Sequence, residues 1–233
     1  MGQLFEDRNL RNRSYVFKDR REAGRLLAQR LSPSISPDSL VLAVPAGGVP
    51  VALEIARKLN LPLDLMIVRK VQIPGNTEAG FGAVGPDGEV IFNRDLLKRL
   101  RLTEEEIDEA VQKTKKIAEA RNRTFREGRI FPEVIDKTAI LVDDGLASGF
   151  TMAEAVSFLK RKKAKKIIVA VPTAPEETVK RILPMVDEIF VLNIRTSFSF
   201  AVAEAYQNWY DLGDEEVLAL LKETGIENRN LKD

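Results

Sequence analysis

The sequence contains no cysteine and no histidine. The first absence excludes disulfides and thiolate nucleophiles; the second removes the commonest general base and metal ligand. Any metal this chain uses is therefore held by oxygen, which favours magnesium. Aromatic residues are only 6% of the chain, and 36 Lys and Arg against 35 Asp and Glu leave a net charge of +1. Such a balance gives no global field drawing the chain to nucleic acid or to a membrane surface. Long apolar runs are missing as well. The longest uncharged stretch, Ser39 to Leu53, holds two prolines and two glycines and is too short to span a bilayer. The N-terminal segment has no apolar core of the signal-peptide kind, and Glu6 stands where a myristoylation signal needs Ser or Thr. A cytoplasmic protein is expected, with no nucleic-acid and no membrane partner.

What remains is 233 residues with 44% hydrophobic and 30% charged content, the profile of one globular domain with a sub-domain. Its most informative stretch is Thr138 to Met152. Ala139 to Val142 is a short apolar run, as in a strand buried on both faces. Asp143 and Asp144 place two carboxylates where that strand ends, and Gly145 to Thr151 is a small-residue loop opening into a helical pattern. In open α/β sheets ligands sit at the carboxyl ends of strands. Free backbone N–H groups at a helix N-terminus make an anion site, and Ser148 and Thr151 add hydroxyl donors. The combination reads as a polyol grip beside a phosphate cradle, a ribose 5-phosphate site. A Walker B strand would need an upstream G-x-x-x-x-G-K-[ST] loop, and the chain has none. A plain strand-to-helix turn explains one Asp but not the ordered run of acids, Gly, Ser-Gly and Thr.

The stretch Ala139 to Thr151 resembles the signature of the type I phosphoribosyltransferases: four apolar residues, Asp-Asp, a small-residue loop, Ser/Thr-Gly and Thr. The resemblance implies that Asp143 and Asp144 hold the ribose hydroxyls of phosphoribosyl pyrophosphate (PRPP). It implies that Gly145, Leu146, Ala147, Ser148, Gly149, Phe150 and Thr151 bind the 5-phosphate. Upstream, Leu40 to Val44 followed by Pro45-Ala46-Gly47-Gly48 looks like the family's pyrophosphate loop, which commonly contains a cis peptide and a basic residue before the glycine. Here that residue is Ala46, so Ala46, Gly47 and Gly48 must rely on backbone N–H groups or on a cation from elsewhere. Asp64 to Val68 reads as a buried strand ending in Arg69 and Lys70, which beside a pyrophosphate site become charge clamps, with Lys70 counted among the catalytic groups. Val71 to Gly88, rich in glycine, fits the family's mobile, water-excluding loop.

Thr103 and Glu106 form a capping box for a helix running to about Gly128. Lys166 to Val171 and Glu188 to Asn193 are the last strands expected. Where the chain leaves them, Pro172, Thr173, Arg195 and Phe198 are the expected acceptor pocket, with Tyr206 and Trp209 read as packing. The expected fold is α/β, a doubly wound parallel sheet with a helical hood. Residues 32–93 and 132–195 form its core; 1–31, 94–131 and 196–233 form the hood and peripheral helices. The function implied is transfer of a phosphoribosyl group from PRPP to a nitrogen acceptor, with magnesium bound through the substrate and at Asp143. The other reading is a non-catalytic PRPP or nucleotide sensor on the same fold. The small-molecule acceptor is open, and so is a homo-oligomer.

Overall fold

The structure, a computed structural model, describes residues 2–126, 129–197 and 199–223. Its centre is a six-stranded sheet in which every pairing is parallel, built from β1 (Gln3–Glu6), β2 (Ser39–Ala43), β3 (Leu63–Leu65), β7 (Thr138–Val142), β8 (Lys166–Pro175) and β9 (Glu188–Arg195) in the order β1-β9-β8-β7-β2-β3. Successive strand residues face opposite sides, and the core divides accordingly. Ile140 and Val142 join one cluster with α1 (Arg20–Leu31) and α2 (Gly48–Leu59). Ala139 and Leu141 join the other with α5 (Phe150–Arg161) and α6 (Glu176–Ile182). Both faces are covered, so these strands read as continuous apolar runs and the sheet is doubly wound.

A second sheet is antiparallel: β4 (Arg69–Ile73), β5 (Asn76–Val84) and β6 (Val90–Phe92). It packs with α3 (Arg94–Leu100) and α4 (Glu104–Arg126) through Val71, Phe81, Val84 and Val111. The Thr103–Glu106 capping box that starts α4 is closed in both directions, at 2.8 and 3.2 Å. The C-terminal α7 (Asp214–Lys222) buries Val217 and Leu221 in the α1/α2 cluster. Among the described residues no helix is long and apolar enough to cross a membrane.

Three expectations are corrected. The glycine-rich segment 71–88 is not an open loop but most of the small sheet, with Val71, Phe81 and Val84 buried. Glycine is needed there because a Cβ at Gly82 would lie 2.6 Å from the Ile91 carbonyl oxygen. Arg69 and Lys70 accordingly open β4 rather than close β3. Residues 1–31 supply edge strand β1 and helix α1, which packs in the core. The anchor of β1 is Phe5, stacked on Phe190 with ring centroids 4.4 Å apart. β8 continues past Val171 to Pro175, so Pro172 and Thr173 are buried strand residues, not an open turn.

Candidate active site

In the main sheet, connections leave β2 towards β3 on one side and β7 towards β8 and β9 on the other. The switch point therefore lies between β2 and β7, and in open α/β sheets ligands bind beyond the strands' carboxyl ends at that place. Ala43 pairs with Val142 in register, and the Val44 amide donates to the Val142 carbonyl at 2.8 Å. The two following segments, Pro45–Gly48 and Asp143–Gly149, are thus forced to leave the sheet side by side. They touch closely. A Cβ at Gly47 would overlap the Asp144 carboxylate, and one at Gly48 would meet the Val142 oxygen at 2.6 Å. The Pro45–Ala46 peptide between them is cis.

Asp143 and Asp144 are both half-buried. The Asp144 amide donates to Asp143 Oδ1 at 2.8 Å, which turns the first carboxylate back over the chain. Burial pushes the Asp143 carboxyl well above the ordinary range, and the neighbouring Asp144 charge adds to this. Burial raises Asp144 as well, but the Arg20 guanidinium opposes it. Arg20 Nε donates to Asp144 Oδ2 at 2.8 Å from the first turn of α1. The Tyr206 hydroxyl donates to the Asp144 carbonyl at 2.5 Å, and burial holds that phenol well above its usual range, in its donor form.

The loop that follows is built from its flanks. The Leu146 amide donates to the Thr173 carbonyl at 2.9 Å, Thr178 Oγ1 to the Ala147 carbonyl at 2.6 Å and Arg181 Nη1 to the Ser148 carbonyl at 2.6 Å. With these carbonyls turned outwards, Ala147 and Ser148 stay exposed. Gly149 caps α5 with φ +75, and a Cβ there would lie 2.7 Å from Thr178 Cγ2. No side chain caps α5 and no acidic residue occupies its first turn, so a negative charge there would be favoured by the helix dipole. Phe150 and Thr151, both half-buried, begin the helix.

Beside the loop lies a cavity of about 800 Å³ lined by Ala147, Ser148, Phe150, Arg181, Arg195 and, from the small sheet's end, Asn93. Of the expected acceptor residues that are described, only Arg195 lines it. Its guanidinium donates to the Arg13 carbonyl and to Glu204, each at 3.3 Å. Thr173 is fully buried, with its hydroxyl donating to Asn193 Oδ1 at 2.8 Å, and so does not present itself to a ligand. Phe198 lies outside the described residues. Arg69 and Lys70 line a separate cavity of about 520 Å³ between β4 and α4. Burial, then the nearby Arg121, lowers the Arg69 guanidinium from its ordinary value.

The sequence profile of the phosphoribosyl transferase domain matches residues 18–209, most of the chain. The chain belongs to the phosphoribosyltransferase family. Two Mycobacterium tuberculosis proteins, from strains CDC 1551 / Oshkosh and ATCC 25618 / H37Rv, each named "Putative phosphoribosyl transferase", are 38% identical over 206 residues. The match covers 88% of this chain but 46% of each of theirs, so the chain spans less than half the length of these curated relatives. The crystal structure of TT1426 from Thermus thermophilus is 35% identical and superposes with a TM-score of 0.74, over 89% of this chain and 98% of that one. The family's type I fold is the doubly wound sheet described above, and the segment that resembles its signature, Ala139 to Thr151, leaves the sheet at the switch point beside Pro45–Gly48.

Within this phosphoribosyltransferase fold, Arg20 is the residue whose role the sequence hid. It is one of eight cations in the first 31 residues. Its signal was position: Arg20, Ala23, Gly24, Leu27, Ala28 and Leu31 form the buried face of α1, so a cation stands on an apolar stripe.

Proposed function

We propose that this chain transfers the phosphoribosyl group of PRPP to a ring nitrogen of a planar heterocycle and releases pyrophosphate. The observation that carries the reading is the close contact of the Ala46–Gly48 turn with the Asp143–Asp144 pair at the switch point, beside the uncapped N-terminus of α5. That arrangement supports a ligand with a polyol between two phosphate groups. In this reading Asp143 and Asp144 orient the ribose. The amides and hydroxyls of Gly145 to Thr151 hold the 5-phosphate, and Ala46, Gly47 and Gly48 take the pyrophosphate; Arg69 and Lys70, which line the separate cavity between β4 and α4, would reach across from there to supply positive charge. Arg195 pairs with an oxygen or carboxylate of the acceptor.

The bond from C1 to the pyrophosphate oxygen breaks with its electron pair going to the leaving group. The acceptor nitrogen's lone pair forms the new bond, and its proton leaves to solvent. Little covalent chemistry falls to the protein, which suits a site without His or Cys. Positioning and charge stabilisation supply the acceleration. The donor set fits magnesium, because it offers oxygen and no His or Cys. A magnesium ion held mainly by substrate oxygens, with Asp143 as the protein carboxylate alongside, would neutralise charge on the leaving pyrophosphate.

A second reading, a PRPP or nucleotide sensor, is favoured by one observation: the pyrophosphate turn carries a methyl group at Ala46 where a cation would help the leaving group. A panel of oxo-purines, pyrimidines and pyridine carboxylates, incubated with PRPP and magnesium and scored by pyrophosphate release, separates the two. Acceptor-dependent release is expected, with only slow release from PRPP alone. Tight PRPP binding with no turnover for any acceptor supports the sensor.

A further inference from the structure

Arg20 is 6% exposed, an unusual place for a guanidinium, and it joins the signature to the segment Tyr206 to Tyr210. Nε donates to Asp144 Oδ2 at 2.8 Å, and Nη1 donates to the Tyr210 carbonyl at 2.9 Å. Its Cζ lies 4.0 Å from the Trp209 ring centroid, 5.9 Å from that of Tyr206 and 5.8 Å from that of Tyr210. Tyr206 in turn holds the Asp144 carbonyl. Asp144 is therefore gripped at both its carboxylate and its backbone, and the gripped carboxylate rests against the α-carbon of Gly47. Where that carboxylate points decides how closely the pyrophosphate turn approaches the signature loop.

We infer that Arg20 is a positioning residue for the proposed transfer and that it acts through Asp144. The two acids are then oriented by different partners. Arg20 fixes the direction in which Asp144 presents its carboxylate beside the Gly47 turn, while Asp143 is held by the Asp144 amide. The pairing also removes a net negative charge from a site whose ligand carries phosphate at both ends, where a second bare carboxylate would repel it. Trp209 and Tyr206, read from sequence as packing, lie against the guanidinium and help to hold it in place. This inference rests on the PRPP reading of the site.

The test is calorimetric titration of PRPP with magnesium into the unsubstituted chain, Arg20→Met, Arg20→Lys, Asp144→Asn and the Arg20→Met/Asp144→Asn pair, with melting temperatures alongside. Loss of one charged hydrogen-bond partner predicts roughly ten- to a hundredfold weaker binding for Arg20→Met. Arg20→Lys should recover part of that loss, since it keeps the charge without the fork or the flat stacking face. Because both residues act as one unit, the double variant should bind no more weakly than the weaker single one. Unchanged affinity in Arg20→Met overturns the inference, as does full multiplication of the two losses in the double variant. Where Arg20→Met does not fold, the same cycle with Arg20→Lys decides the question by the same comparison. If the unsubstituted chain binds no PRPP, the PRPP reading fails and takes the inference with it; binding that ignores Arg20 overturns the inference alone.

Discussion

Arg161, at the end of α5, donates to the buried carboxylate of Glu154 at 2.6 Å and to both oxygens of Asp87, at 2.9 and 3.0 Å. This fork ties the turn between β5 and β6 to the helix whose N-terminus faces the expected 5-phosphate. Glu154 is fully buried and its Oε2 has no hydrogen-bond partner, so Arg161 supplies its main compensation.

Arg161→Ala is therefore expected to be costly. Leaving a buried carboxylate unpaired costs about 1–3 kcal/mol. A urea titration should show a lower midpoint with an unchanged slope, and adding Glu154→Gln should restore much of the loss. A midpoint for Arg161→Ala equal to that of the unsubstituted chain contradicts this account of the fork.

The same group gives a pH dependence with a definite sign. Burial raises the Glu154 carboxyl above its ordinary value of 4.5 against the opposing Arg161, with Asp87 and Glu89 adding to the rise. Between that value and the raised one, the folded chain holds a proton that the unfolded chain has lost, so stability falls as pH rises through the window. Asp87 runs the other way. Its burial is outweighed by Arg161 and the Glu89 amide, its carboxyl is lowered, and its contribution is lost only as pH falls below the usual carboxylate range. Denaturation midpoints measured as a function of pH should show a smaller decline above 4.5 in Glu154→Gln than in the unsubstituted chain. Identical declines contradict the assignment.

Thr173→Val separates a structural residue from an acceptor-pocket one. The Thr173 hydroxyl satisfies Asn193, whose Nδ2 in turn donates to the carbonyls of Leu10 and Arg13, tying the N-terminal segment over the end of β9. Removing it strands a buried acceptor, at about 1–3 kcal/mol, and should lower the urea midpoint while leaving the KM for the acceptor unchanged. A raised acceptor KM without loss of stability returns Thr173 to the pocket.

The sequence disclosed elements whose burial comes from their own composition. β7 is apolar on both faces and so reads as a strand by itself, and the Asp pair and small-residue loop mark the site at its end. The Thr103–Glu106 box is a local signal and was legible for the same reason. Tertiary contacts decide the rest. β1 is Gln3–Glu6, polar at both ends, and becomes a strand because Phe5 meets Phe190 across the sheet edge. β5 carries Gly80 and Gly82, which read as loop, but their missing side chains let Lys70 and the β6 backbone pack close. Arg20 looked like one more surface cation until Trp209, far along the chain, came to lie beneath it.

The central claim, that the switch-point contact builds a PRPP site, is tested most directly by titrating PRPP with magnesium into the unsubstituted chain, Asp143→Asn and Gly47→Ala. Gly47 has φ −59, which alanine adopts freely, so its methyl group acts only by pushing on the Asp144 carboxylate. The account predicts saturable binding to the unsubstituted chain, and affinities roughly ten- to a hundredfold weaker in both variants, with Asp143→Asn remaining folded. Equal affinity in all three chains, or no binding to the unsubstituted one, contradicts it.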